Sequence, residues 1–433
     1  MARVIFLALA VVMAAPIILI PQDWAGWLLL YLTFAVVAIL LPIKRRPGIV
    51  LAIWGTLIIH HLIALANAHY GPLFGAESDA ASFHSDAVAI ASGGGFSFTI
   101  GSQLYTSMLA MAYSLVGPSH FFGEETSVLA YAFSCVVLVR TMDLLKIDRH
   151  RVACVLIFGL LPPAALYGSY TVREAWEILF FMYSVYSFLR FRLYAKPGAM
   201  LAGLLSACLM GSLHSGLALF AVILIPYALL ARMGKSDSTL TLPKLFGLAI
   251  TTVVLAGFCA AVLTHRLPRT STLDRVADGE AMSYAADYRE HSAQDARASY
   301  GVKLDSSSPI AFAASAPLVY IYYMLSPMPW QIRTGLDVYG ELEAWFRILL
   351  LYFSLKSWLS RESESLSQVK GFLLTLFIAM SFLWSLGTIN YGTATRHHLV
   401  PFWILVILGA PHMLDLMTRV SQVRKISAQV PAH

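Results

Sequence analysis

Long apolar stretches alternate with short polar ones along most of the chain. A helix that crosses hydrocarbon needs about 20 such residues. Twelve stretches reach or approach that length, at 3–20, 25–43, 49–68, 126–145, 152–169, 174–192, 199–213, 215–231, 245–263, 341–359, 370–389 and 398–417. The predicted fold is all-α and polytopic, with about twelve transmembrane helices. The first apolar run continues past Pro16 to Ile20 and a second begins at Trp24, so the N-terminus reads as an uncleaved span rather than a signal peptide. The stretch at 199–213 is the shortest and makes a tight hairpin with the next around His214.

Two further apolar pieces fit the spanning pattern less well. In "SQLYTSMLAMAYSLVG", 102–117, Leu104, Met108, Met111 and Leu115 share one helical face, which predicts a helix lying along the membrane surface. The piece at 309–325 is interrupted by Pro317 and followed by "SPMPW", which predicts a re-entrant or interfacial segment.

Composition supports the class. Hydrophobic residues make up 58% of the chain and charged residues 12%, against about 25% charged in soluble domains. Mean hydropathy is +0.70. The net charge of +6 sits in clusters between apolar runs: Lys44 to Arg46, Lys146 to Arg151, Arg190 to Lys196, Arg232 to Lys235 and Arg419 to Lys425. With both termini cytoplasmic, every cluster falls inside, as the positive-inside rule requires, so the charge does not mark a nucleic-acid surface. Cys135, Cys154, Cys208 and Cys259 lie within apolar runs and carry no metal or disulfide spacing.

This orientation divides the single polytopic domain, 1–433, into five parts. Three N-terminal spans occupy 1–68, and an outer loop with the interfacial helix occupies 69–125. A six-span core fills 126–263, and a second outer loop with the interfacial or re-entrant segment fills 264–340. Three C-terminal spans and a cytoplasmic tail close the chain at 341–433.

The same orientation gathers the remaining polar residues on the outer side. "ESDAASFHSDA", 77–87, brings Glu77, Asp79, His84 and Asp86 beside the membrane, where ionisable groups mark function by default. A helix from 80 would put Asp79, Phe83 and Asp86 near one face and His84 off it, with Ser78 or Asp79 as cap. "SYTVREAW", 169–176, opens a span, with Thr171 as its expected cap and Glu174 favoured by the helix dipole. Arg173 is disfavoured there and calls for an anion: Asp79, Asp86 or a phosphate. Glu174 is read as pointing elsewhere. His214, Trp330 and Arg333 are further outer-side candidates.

"GTATRHH" places Arg396, His397 and His398 at the outer start of the last span, against the positive-inside bias. Together with Arg173 they suit one lipid phosphate or pyrophosphate. Adjacent helical residues diverge by about 100°, so His397 and His398 chelate one metal poorly. No cofactor is called for, and a divalent cation stays open. In the loop at 264–308, Tyr284, Tyr288 and Arg289 are placed at the border of a substrate groove and the rest is read as a solvated cover.

These stretches resemble the bacterial multi-pass glycosyltransferases of the GT-C superfamily, which include polyprenyl-phosphate-sugar-dependent, mannosyltransferase-like enzymes. The likeness rests on "ESDAASFHSDA", then "GGGFSF", an interfacial helix and the Arg-acid pair of "YTVREA". "SPMPW" and "NYGTATRHHLVPF" resemble elements of related exopolysaccharide-cluster membrane proteins. The resemblance implies a GT-C-like fold in a bacterial inner membrane and a polyprenyl-phosphate-linked sugar donor. It also implies a glycan or lipid acceptor and chemistry on the outer, periplasmic face. The family's first-loop acid is a general base, which maps to Asp79 with Asp86 as alternate. This chain departs from the family in having three spans before that loop, where one is common.

Such chemistry needs a carboxylate to deprotonate the acceptor and cations to receive the departing phosphate. The outer side offers both. A polymerase or ligase of lipid-linked oligosaccharide repeats would draw on the same residues. A transporter or flippase should place ionisable groups near the bilayer midplane instead.

Overall fold

The computed structural model describes residues 19–44, 46–74, 79–230, 275, 279–294, 299, 301–360 and 363–429. Glu77, Cys259, most of the predicted first span and the predicted span at 245–263 lie outside the described residues. Among the described residues every regular element is helical. In chain order these are α1 (Trp24–Leu40), α2 (Pro47–Tyr70), α3 (Asp79–Ala91), α4 (Ser102–Val116), α5 (His120–Leu144), α6 (Arg151–Leu160), α7 (Pro162–Tyr167) and α8 (Glu174–Tyr194). There follow α9 (Pro197–Leu213), α10 (Ser215–Leu230), α11 (Ala281–Gln294), α12 (Pro309–Leu325), α13 (Gly335–Trp358), α14 (Glu364–Gly387) and α15 (Tyr391–Gln429).

Among the described residues, five segments are long and apolar enough to cross a membrane: Pro21–Leu40, Pro47–Tyr70, His120–Leu144, Glu364–Gly387 and Tyr391–Val420. By length and composition these apolar helices could span a membrane, as a helical membrane protein requires. Other predicted spans form helices that are shorter, such as α9, or that carry several charges, such as α8 with Glu174, Glu177, Arg190 and Arg192. The predicted helix at 152–169 is instead two. Pro162 and Pro163 hold Leu161 in an extended conformation, φ −58° and ψ 126°, and α6 ends there. The last helix starts at Tyr391, seven residues before its predicted start, because Asn390 Oδ1 accepts a hydrogen bond from Thr393 N at 2.8 Å and caps it.

Two long helices carry extended buried stretches: most of one, and residues 398–411 of the other. The first, α5, packs against α1, α2, α6 and α8; the second, α15, packs against α6, α8, α13 and α14. Their buried faces join one core that includes the fully buried Tyr131, Phe158, Phe181 and Trp403. The contact between α13 and α15 depends on a missing side chain. A Cβ on Gly409 would sit 2.3 Å from Leu350 O, so no larger residue fits that crossing.

The helices alternate between two ends of the bundle. At one end Arg46 pairs with Asp143 at 2.5 Å and His150 Nε2 lies 2.9 Å from Asp415. At the other, Ser119 caps α5 and donates to Asp23 at 2.5 Å, and His214 alone separates α9 from α10. This second end carries the candidate site.

The two irregular apolar pieces both lie at that end. Met108, Met111 and Leu115 of α4 are exposed, while Tyr105, Leu109 and Tyr113 are buried. The apolar stripe therefore faces outward and Leu104 sits at its edge. The helix α12 runs without a break through Pro317, and Ser308 caps its start, accepting from Ala311 N at 3.1 Å. Its last turn ends against Arg347 of α13, which donates to Met324 O at 2.9 Å.

Candidate functional site

The first residue of α3 is Asp79. Ala80, Phe83 and Ala87 form the buried arc of this helix, with the Phe83 ring edge-on to Tyr105 at 5.0 Å. That arc directs Asp79 toward α15, where Arg396 pairs with it. The same guanidinium binds Glu174, with Nε 2.9 Å from Oε1. The Tyr167 ring lies 5.6 Å below it. Glu174 is 3% exposed at the side chain and Asp79 is 50% exposed, so the pair joins a buried carboxylate to an accessible one.

Arg173 forms a second pair. Its Nε lies 3.3 Å from Glu177 Oε1, one helical turn ahead, and its Nη1 donates to Leu213 O at 3.2 Å. Glu177 is buried. Leu213 precedes His214, so Arg173 also ties α8 to the hairpin carrying His214. Burial, then the charges of Arg173, His397 and Arg396, push the His214 pKa well below its ordinary value. His214 is therefore neutral near pH 7, and its Nδ1 accepts from Gly216 N at 3.1 Å.

An aromatic box adjoins these charges. The His397 ring stacks on Trp384 at 3.8 Å, and His214 meets the same indole edge-on at 4.6 Å. His397 Nδ1 is 2.7 Å from Thr388 Oγ1. Thr388 is positioned in turn by Arg289, which donates to Ser385 O and Thr388 O, both at 2.7 Å. A cation on the last carbonyls of α14 suits that helix end.

Several sequence expectations need correction. Glu174 does not point elsewhere: it is the buried partner of Arg396, since the two helix starts meet. The carboxylate that pairs with Arg173 is Glu177, not Asp79 or Asp86. Thr171 does not cap α8, whose N-cap position is Arg173 itself without a side-chain cap. Asp86 does not share Asp79's surroundings; it lies outside the buried arc of α3 and is exposed. His398 turns away from His397, and its Nε2 donates to Tyr323 O at 3.1 Å. Arg289 is buried and holds α14 rather than bordering a groove. His84 lies 2.7 Å from Tyr113 Oη and stacks on His120 at 3.6 Å, apart from the Arg396 cluster. Burial and then His120 lower its pKa to about 4.

Two cavities open beside the cluster. One, of about 340 Å³, is mainly apolar and includes Phe74, Leu166, Tyr167, Pro327, Leu336 and Thr395. The other, of about 480 Å³, is lined by Trp330, Arg333, Gln331 and Ser299. They share a wall of Thr334, Asp337 and Tyr391. Arg333 is exposed, and its guanidinium pairs with no carboxylate among the described residues.

No family model, no curated protein and no solved structure matches the chain. Among the described residues, no group of three His, Cys, Asp or Glu side chains is placed to hold a metal ion.

Two groups of residues escaped the sequence reading. Glu177 was findable, because Arg173 and Glu177 stand four apart in "VREAWE". The second group sits between α2 and α5. Glu125 is 2.9 Å from His61 Nδ1, and Asn67 donates to Glu124. All four are buried. Nothing local in the sequence signals that pairing, which joins residues 57 and 64 positions apart.

Proposed function

We propose that the chain is a membrane glycosyltransferase of GT-C type with twelve spans. It would move a sugar from a polyprenyl-phosphate carrier to a glycan or lipid acceptor at the outer, periplasmic face. The observation that carries this reading is Asp79: a half-exposed carboxylate, fixed in direction by Arg396, next to the paired cavities. The acceptor oxygen attacks the anomeric carbon while Asp79 takes its proton. The bond from that carbon to the phosphate oxygen breaks, and the phosphate leaves with the electron pair.

Arg396 and Arg173 already hold carboxylates. Their role is to orient Asp79 and neutralise buried charge. The phosphate contact then passes to Arg333, at the polar cavity with Trp330 and Gln331. The apolar cavity across Tyr391 accommodates the first part of the prenyl chain.

The test is mass spectrometry of lipid-linked glycans in a deletion strain carrying wild-type or Asp79→Asn protein. Loss of one sugar in both the deletion and the variant supports the reading. Identical glycans in all strains would overturn it.

A second reading has one observation in its favour. Glu125 and His61 form a pair buried within two helices that can cross a membrane. Ionisable pairs at such depth are common in transporters and flippases. Uptake or flipping of a lipid-linked sugar that survives Asp79→Asn but fails in Glu125→Gln would favour this alternative.

A further inference from the structure

The opposite end of the bundle holds a cavity unconnected with Asp79. It has a volume of about 370 Å³ and lies between the last turns of α8 and the first turns of α9. Tyr183, Ser187 and Arg190 line it from α8, at spacings of four and three that place them on one helical face. Gly198, Ala199 and Ala202 line it from α9, and their small side chains leave the space open. Lys196, just before α9, completes the rim.

Both cations at this rim lack an acid. Neither Arg190 nor Lys196 pairs with a carboxylate among the described residues, whereas the neighbouring cations Arg46, Arg149 and Arg151 all do. Arg190 rests instead over the buried Tyr186 ring at 5.5 Å, which fixes its guanidinium at the cavity mouth. The α9 surface beyond the cavity is apolar and outward-facing. Leu201, Leu205 and Leu209 repeat every four residues and are 48%, 57% and 45% exposed, and Tyr183 of α8 is 38% exposed. A headgroup-sized space with two unpaired cations therefore opens onto an apolar strip.

We propose that this cavity is a binding site for an anionic phospholipid. Its phosphate lies between Arg190 and Lys196, and an acyl chain runs along Leu201, Leu205 and Leu209. Basic pockets between membrane helices take anionic headgroups in this way. The apolar strip favours a lipid over a soluble phosphate, because a free anion would leave the leucines unused.

The test uses the full chain in detergent and native mass spectrometry with added phosphatidylglycerol or phosphatidylcholine. Wild type should retain one phosphatidylglycerol more tightly than phosphatidylcholine. Arg190→Gln with Lys196→Gln should weaken that retention roughly tenfold to thirtyfold, at about 1 kcal/mol for each cation. Ala202→Phe fills the cavity without touching either charge and should also abolish the preference. Lys356→Gln with Arg419→Gln removes the same charge at the same end and should change nothing. Equal retention of the two lipids by wild type would overturn the proposal. So would equal loss in the Lys356 and Arg419 control, or displacement of the lipid by glycerol phosphate at matched concentration.

Discussion

Arg46 and Arg151 share Asp143 at one end of the bundle, with side chains 15–32% exposed. At the other end, Arg396 is shared by Asp79 and Glu174, and Glu174 is 3% exposed. The motif is the same, one charge bridging two of opposite sign, but the solvent differs. Water screens the first set, and such pairs contribute about 0–1 kcal/mol. In the second set Glu174 has lost nearly all of its water, and burying an ion costs more than its attraction returns unless geometry is close to ideal. A network of that kind adds little to stability over apolar packing. Of these two shared-charge sets, only the one at Asp79 includes a buried carboxylate, which is why that end is taken as the candidate site.

The contrast can be broken most sharply through Asp79. If it is the base, Asp79→Asn lowers sugar transfer roughly 10²–10⁴-fold, measured with a labelled polyprenyl-phosphate sugar in proteoliposomes. Full turnover would reduce the site to a structural ion pair.

Stability separates the two ends next. Arg396→Met leaves Glu174 buried and unpaired, which should cost about 3–5 kcal/mol. Adding Glu174→Gln should recover most of it, because no buried charge then remains. Unfolding in detergent followed by intrinsic fluorescence measures both. An equal loss in the single and double variants would show that Arg396 acts through packing alone.

Arg46→Ala, the matching change at the screened end, should cost no more than about 1 kcal/mol and should lessen its effect further in high salt. A loss as large as that of Arg396→Met would erase the distinction between the ends.

A last prediction concerns pH. Burial and then His120 hold His84 at a folded pKa of about 4, against about 6.5 when unfolded. The unfolded chain therefore binds the extra proton between those values. Stability is intact above about pH 6.5 and declines as pH falls toward 4. His84→Gln should flatten the unfolding midpoint across that window. An unchanged slope would show that His84 keeps its proton equilibrium on folding.

Class, helicity and the uneven distribution of charge are local properties, and the order of residues determined them. Apolar length alone marks α2, α5 and α14 as able to cross a membrane, and "TVREA" marks a helix start whatever surrounds it. Clustering of Lys44 to Arg46 with Lys146 to Arg151 was legible for the same reason. Partners were not. Arg396 reaches Asp79 across 317 positions and Glu174 across 222, and no periodicity encodes which helix starts meet. The sequence reading set Glu174 aside because it considered one helix face, whereas the pairing forms between two helices. Only the packing of α3, α8 and α15 decided that Asp79 is held and half exposed while Asp86, seven residues on, is not. A carboxylate's role depends on which cation and how much water stand beside it, and both are set by the tertiary fold.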